Sequence, residues 1–343
     1  MVKFGNEFGN EVNVAVTGAA GNIAYALYKR LLDDVFDGVG MESDYKVNLR
    51  LLEIPQVVQN LGGVALELQD LASDHLGSVI YTTDANEAFD GVDVAVLLGG
   101  RPRGKGMDRA DLIAANAPIF AEQGRALSLG AKDTTKVLVP ANPANSNTLI
   151  TLSHASGMNP EQFASMSRLD HNRAVAQLAL HYSDRGVTSG DVEKLAVWGN
   201  HSKSMVVDLS STSLHTSDGL VEFVGLPKWY PELARTVAER GDEILNARGA
   251  SSVMSAAQAT ADQLKDWIGG SQGRWHTMGL YSDGTHAGIP EGIVSSMPVV
   301  TSYGGMILRV APKRSNIELE RLKTASFNEL LEERAKLEEL GVL

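Results

Sequence analysis

The chain has 343 residues, 43% apolar and 21% charged, enough for one large domain or two ordinary ones with a soluble core. A formal charge of -12 removes any electrostatic case for nucleic acid or an anionic membrane, so an anionic substrate must be met by a local cluster of cations. Cysteine is absent, which excludes disulfides, a thiol nucleophile and cysteine-ligated metal, and fits a reducing, cytoplasmic setting with no metal. The opening MVKFGNEFGN has no apolar signal core. The most apolar candidate span, VNVAVTGAAGNIAYALY, is broken by Asn13, Thr17, Asn22 and two glycines and falls short of the roughly 20 residues a membrane helix needs.

In chain order, Val12 to Val16 is predicted as a strand, followed by a glycine turn and a helix from about Ile23 to Asp34. Val47 to Leu52 is a second strand, closed by Glu53, and GGVALELQDLA (62–72) lies in a helix. Asp93 to Leu98 is a third strand, apolar enough to be buried on both faces, and Lys136 to Val139 a fourth. Alternating strands and helices predict a parallel sheet covered by helices. After about residue 150 helices dominate: Arg173–His181, Pro231–Ala247, Ser255–Asp266 and a closing charged helix, Asn316 to Leu340. Leu195–Trp198 and Ser295–Val300 are short strands of a mixed sheet. No repeat or low-complexity linker separates the halves, which predicts two lobes packed without a hinge segment, 1–160 and 161–343.

The first strand runs into Gly18, Ala19, Ala20, Gly21, Asn22 and Ile23, where glycines let the backbone approach a pyrophosphate at a helix N-terminus. The spacing is G-x-x-G-x-x-A, ending on Ala24, so the fingerprint alone is also compatible with an ordinary glycine turn. Glu53, at the end of the next strand, suits the two ribose hydroxyls and repels a 2′-phosphate, which favours NAD over NADP.

GGRPRGKGMDRADL (99–112) follows the third strand at its carboxyl end and packs Arg101, Arg103, Lys105 and Arg109 into nine residues. With Gly104 and Gly106 it is expected to act as a mobile lid that carries charge onto a bound anion. VPANPANSN places Asn142 just past the fourth strand, with an amide available to substrate or cofactor. In SMSRLDHNR, Arg168 has the planar fork that grips a carboxylate, and Asp170 is available to orient a histidine. Neighbouring His171 points about 100° away on a helix, so His201, just past an apolar strand in VWGNHS, is the better partner.

TGAAGNIAYAL, LLEIP, GGVALELQDLA, GGRPRGKGMDRADL, ANPANSN, RLDHNRAVAQLAL and VWGNHS stand in the order found in malate dehydrogenases. The chain resembles the branch with the cytosolic eukaryotic and some bacterial enzymes, and the likeness extends to DWIGG, YSDG and MPVV near the C-terminus. The resemblance implies an α/β fold: a Rossmann-type doubly wound parallel sheet that binds NAD, then a C-terminal α+β substrate domain. It implies that His201 takes the 2-hydroxyl proton of malate while Asp170 holds the imidazole. Arg109 would polarise the carbonyl of oxaloacetate, Arg168 bind the adjacent carboxylate, Arg103 the distal one, and Asn142 the substrate oxygen. Asn116 and Gln123 would be further cofactor contacts and Ser252 a weaker one near the substrate. In GGVALELQDLA, Val64, Leu68 and Leu71 form an apolar stripe that suits burial against the sheet or a partner, and the resemblance places this helix at a homodimer contact.

Three features depart from the family pattern: Glu53 in place of an aspartate, a second arginine, Arg101, beside Arg103, and a long interval containing HYSDRG between Asp170 and His201. Lactate dehydrogenase is the nearest rival and calls for a neutral residue in place of Arg103. A short-chain dehydrogenase needs a later Tyr-x-x-x-Lys pair, and the nearby match, Tyr25–Lys29, directly follows the glycine turn. A non-catalytic nucleotide sensor should lack a polar member of the set, and each is present.

Overall fold

The computed structural model describes residues 10–37, 44–102, 106–312, 314 and 317–343. Arg103, Gly104 and Lys105, which include the expected distal-carboxylate ligand, lie outside them. The first half runs Glu11–Thr17 (β1), Asn22–Asp33 (α1), Lys46–Leu52 (β2), Asn60–Asp70 (α2), Leu76–Thr82 (β3), Ala85–Phe89 (α3), Val94–Leu97 (β4), Arg109–Gly130 (α4), Lys136–Val139 (β5), Ala144–His154 (α5) and Phe163–Ser165 (β6). The second half runs Arg168–His181 (α6), Val192–Glu193 (β7), Ala196–Trp198 (β8), Val206–Asp208 (β9), Ser213–Thr216 (β10), Gly219–Glu222 (β11), Tyr230–Arg248 (α7) and Met254–Gly269 (α8). His276–Tyr281 (β12), Val294–Thr301 (β13), Ile307–Arg309 (β14) and Ile317–Glu339 (α9) complete it.

The main sheet has the order β14-β13-β12-β6-β5-β4-β1-β2-β3. Its six parallel strands, β3-β2-β1-β4-β5-β6, form the doubly wound half, whose order reverses between β1 and β4. Antiparallel β12, β13 and β14 extend it, joined through Gly279 opposite Ser165. Central strands are buried on both faces, which is why they read as unbroken apolar runs. Val14, Val16, Val94 and Val96 pack towards α1 and α8 in one core, while Ala15, Ala95 and Leu97 face α4 and α5 in the other.

The sequence pattern misses β3, so the strands expected as third and fourth are β4 and β5. As an edge strand with Ile80 and Tyr81 exposed and Gly77–Ser78 within it, β3 has no apolar run to signal it. The expected helix over 173–181 begins earlier, at Arg168. The expected lid is also shorter than 99–112, because Arg109 is already the first residue of α4. Asp108 caps that helix, accepting from Asp111 N at 2.8 Å while Asp111 returns a bond to Asp108 N.

Candidate active site

The carboxyl ends of β1, β4, β5 and β6 bring four connections to one edge of the sheet, the edge at which open α/β sheets bind ligands. At the first, Gly18 takes φ +63°, and a Cβ there would sit 2.6 Å from Gly99 Cα in the connection after β4. Only glycine permits both that conformation and that approach. Thr17 Oγ1 accepts from Gly99 N at 2.9 Å, tying the two turns together. Gly21 then caps α1 without a side-chain hydrogen bond and with no acidic residue in the first turn. The positive end of α1 is therefore uncontested and fits a pyrophosphate. Ala19 is buried, Ala20 and Ile23 half-buried, and Asn22 exposed.

Glu53 is half-buried just past β2, with one carboxylate oxygen accepting from Ile54 N at 2.8 Å. Its backbone N–H binds Thr82 O, so the edge strand β3 fixes its position. One carboxylate oxygen is left for ribose hydroxyls, which fits the adenosine half of NAD. Asn116 is fully buried and braces the loop after β4: its side chain accepts from Arg101 N at 2.8 Å and donates to Arg101 O and Leu112 O. Those bonds occupy both amide hydrogens. Gln123, one helical face further along α4, is buried with its amide oxygen unpartnered. Asn142 is exposed past β5, and Ser252 has an enclosed hydroxyl without a partner.

The expected proton-handling pair is brought together from sequence positions 31 apart, with His201 Nδ1 hydrogen-bonded to Asp170 Oδ2. Asp170 lies in the first turn of α6 and is only 1% exposed. His201 is held by its backbone too, since its N–H donates to Asn145 Oδ1 at 3.0 Å and Asn145 Nδ2 donates to Val294 O. Just before it, Gly199 adopts φ +88° and exchanges two backbone bonds with Ser296 of β13. A Cβ at Gly199 would lie 2.0 Å from Ser326 Oγ on α9, the hydroxyl that also accepts from Asn200 N. With Nδ1 committed to a carboxylate, the imidazole keeps Nε2 for a substrate.

The arginines divide differently from the sequence expectation. Arg168 is turned away from His201. Its Nη1 pairs with Asp266 Oδ2 on α8 at 2.5 Å, and its Nε donates to Asn172 Oδ1. It lines a cleft of about 630 Å³ with His171, Asn172, Asp262, Asp266 and Arg274, which contains neither His201 nor Asp170. The physical reason is helical phase: two residues before Asp170 is about 200° around the helix. Arg173, three residues after Asp170, shares its face, and its Nη1 donates to Asp170 Oδ1 at 3.4 Å. Its side chain is 13% exposed and, among the described residues, makes one hydrogen bond with five N–H donors available. Burial pushes its pKa below the ordinary value, opposed by Asp170. A cation so placed has donors to spare for an anion. The i, i+3 spacing carried this information, and attention to neighbouring positions missed it.

Arg109, at the start of α4, lies on the same side as His201. Its Nε pairs with Glu333 Oε1 on α9, and its Nη2 donates to Asn200 Oδ1 at 3.0 Å, the residue next to His201. Asn145, Asn200 and Glu333 are site residues that the sequence reading did not single out. Arg101 has an exposed side chain. Among the described residues no group of three or more His, Asp or Glu is arranged to hold a metal, and no helix is long and apolar enough to cross a membrane.

Comparison with known proteins adds to this geometry. The family model for the lactate/malate dehydrogenase NAD-binding domain matches residues 12–165, and that for the alpha/beta C-terminal domain of the same family matches residues 167–340. Malate dehydrogenase from Naegleria fowleri is 38% identical, covering 97% of this chain and 99% of its own, with a TM-score of 0.87. Lactate dehydrogenase from Trichomonas vaginalis, solved with NADH and oxamate, is 35% identical over 97% of this chain and 100% of its own, with a TM-score of 0.89. Malate dehydrogenase from Plasmodium falciparum shares the fold at 19% identity and a TM-score of 0.77.

Proposed function

The chain belongs to the lactate/malate dehydrogenase family and carries its NAD-binding domain, and from that premise we propose that it interconverts malate and oxaloacetate. The observation that carries the proposal is the Asp170 carboxylate, one oxygen of which holds His201 and the other Arg173. A proton carrier and a carboxylate grip are thereby spaced by a single buried anion, as oxidation of a 2-hydroxy acid requires.

When bound, NAD supplies the hydride acceptor, held by the Gly18–Gly21 turn and Glu53. His201 accepts the hydroxyl proton on Nε2, and Asp170 stabilises the imidazolium that results. In the reverse direction the same imidazolium returns the proton to the carbonyl oxygen. Arg173, in place of Arg168, grips the carboxylate beside the reacting carbon through its free donors. Arg109 polarises the carbonyl oxygen, and Asn142 contacts it.

The choice of a dicarboxylate rests on the sequence. The segment between β4 and α4 of this acidic protein carries Arg101 and Arg103, and a cation meeting the distal end of the substrate would be left without an anion by pyruvate, a cost of several kcal/mol. We assign the distal carboxylate to Arg103. NADH oxidation with oxaloacetate and with pyruvate tests this directly. The wild type should prefer oxaloacetate at least about a hundredfold, and Arg103→Gln should narrow that preference far more than Arg101→Gln does. A preference for pyruvate would assign the chain to the lactate-oxidising side of its family.

A further inference from the structure

We propose that Glu333, on the last helix of the chain, is the positioning residue for Arg109 and sets the distance between that cation and His201. The inference rests on Arg109 as the carbonyl-polarising group and adds the residue through which it is aimed.

Glu333 is 7% exposed in its side chain and has three partners from three separate elements. Its Oε1 accepts from Arg109 Nε of α4 and from Asn200 Nδ2 at 2.6 Å, in the connection after β8. Its Oε2 accepts from Ser146 Oγ of α5. Two of these partners adjoin the grip on the catalytic imidazole: Asn200 precedes His201, and Ser146 follows Asn145, whose amide oxygen holds His201 N–H. Arg109 also donates from Nη2 to Asn200 Oδ1. One edge of the guanidinium, Nε with Nη2, is thus clamped by Glu333 and Asn200 together. The Nη1 hydrogens and one on Nη2 remain for a substrate oxygen.

Two physical arguments make this an aiming device rather than a resting place from which the arginine departs. If Arg109 left, Glu333 would be a buried carboxylate with only a neutral amide and a hydroxyl to meet it, a state that strongly disfavours release. If Glu333 were neutral, Arg109, about one-third exposed at the first position of α4, would have among the described residues only uncharged acceptors, at positions 333 and 200, to hold it against solvent. A long cationic side chain then samples many rotamers, and a misplaced catalytic group costs turnover more than binding.

The test is a double-mutant cycle in the full chain with saturating NADH and varied oxaloacetate: Glu333→Gln, Arg109→Gln and both together. Glu333→Gln keeps the side-chain size and removes the charge. It should lower kcat by about ten- to a hundredfold with KM changed by only about threefold, and leave NADH affinity by fluorescence titration unaltered. In the Arg109→Gln background the same substitution should cost less than about twofold. Unchanged kcat in the single variant overturns the proposal. So does an equal loss in both backgrounds, which would make Glu333 a brace between α9 and α4. If Glu333→Gln does not fold, the cycle is run with Glu333→Asp, which keeps the charge but retracts it by one methylene, and the same two outcomes decide. A wild type that reduces pyruvate instead of oxaloacetate changes the assay substrate and leaves the cycle valid. A wild type that reduces neither refutes the proposed function before any variant is compared.

Discussion

Replacing Arg173 with glutamine separates the two arginines of α6. Among the described residues Arg173 makes one long hydrogen bond, 3.4 Å to Asp170, and it is largely enclosed. A substrate carboxylate would therefore gain two charge-assisted hydrogen bonds from donors with no competing acceptor among the described residues, worth about 1.5–3 kcal/mol each. Losing them at about 1.4 kcal/mol per decade predicts a fall in kcat/KM for oxaloacetate of about 10² to 10⁴. NADH binding should be unchanged, because the cofactor turn lies on β1 and β2. Arg168→Gln is the matched comparison. It breaks a buried pair with Asp266, which retains Arg274 at 3.2 Å, so it should lower the urea midpoint while changing kcat/KM by no more than about threefold. Steady-state kinetics and urea unfolding of both variants decide the matter. Large kinetic loss in Arg168→Gln with near-normal kinetics in Arg173→Gln would refute the helical-phase argument.

The remaining expectations concern proton transfer, cofactor choice, acid stability and assembly. His201→Asn should bind NADH normally yet turn over at least about a hundredfold more slowly, and near-normal turnover would remove His201 from the chemistry. Glu53 should make NAD the preferred coenzyme, so equal efficiency with NADP in steady-state assays would mean that its carboxylate does not face the ribose. Burial, with Arg168 adding to it, holds His171 and His276 well below the ordinary histidine pKa of 6.5. Unfolding lets both bind protons once the pH drops under about 6.5, so their contribution is intact above that value and is lost below it. The slope approaches about 1.4 kcal/mol per pH unit for each, and a urea midpoint flat from pH 7.5 to 5.5 would contradict it. Of the expected stripe, Val64 and Leu68 pack against the chain's own core, which leaves Leu71, with Leu66, exposed on and beside α2; we propose that these two meet a second copy of the chain, and a stable monomer in light scattering at micromolar concentration counts against this.

The parts of the molecule that sequence made legible are those where one short segment carries its own physical cause. The β1–α1 turn is one: Gly18 must be glycine because its contact with Gly99 forbids a Cβ and its positive φ disfavours one. The buried strands β4 and β5 are another, since burial on both faces writes itself as a run of apolar residues. The edge strand β3 was hidden because its half-exposed side chains follow no single period. Arg173 was legible in principle from its spacing to Asp170 alone. Glu333 was not. It sits in a helix whose charges look like an ordinary solvated face, and its partner Arg109 is 224 positions away. Nothing local distinguishes Glu333 from its exposed neighbours until the fold brings α9 against α4 and α5.

An acidic protein that takes an acidic substrate must solve an electrostatic problem, and the site suggests how. With a net charge of -12 the long-range field repels an anionic substrate, and salt screens that field over about 8–10 Å. Attraction must then act at contact, inside the enclosed site, where charges are weakly screened. Each inward-facing arginine described here is accompanied by a buried carboxylate, Arg173 by Asp170 and Arg109 by Glu333. Those carboxylates stabilise the cations in a site that would otherwise expel them, yet each occupies only part of a guanidinium. Asp170 uses one Arg173 donor, while Glu333 with Asn200 uses one edge of Arg109. The unspent donors supply the attraction, and the spent ones fix its direction. Selectivity for a substrate of the right length then follows from rigid placement: an anion that cannot reach the free donors meets only the repulsive field.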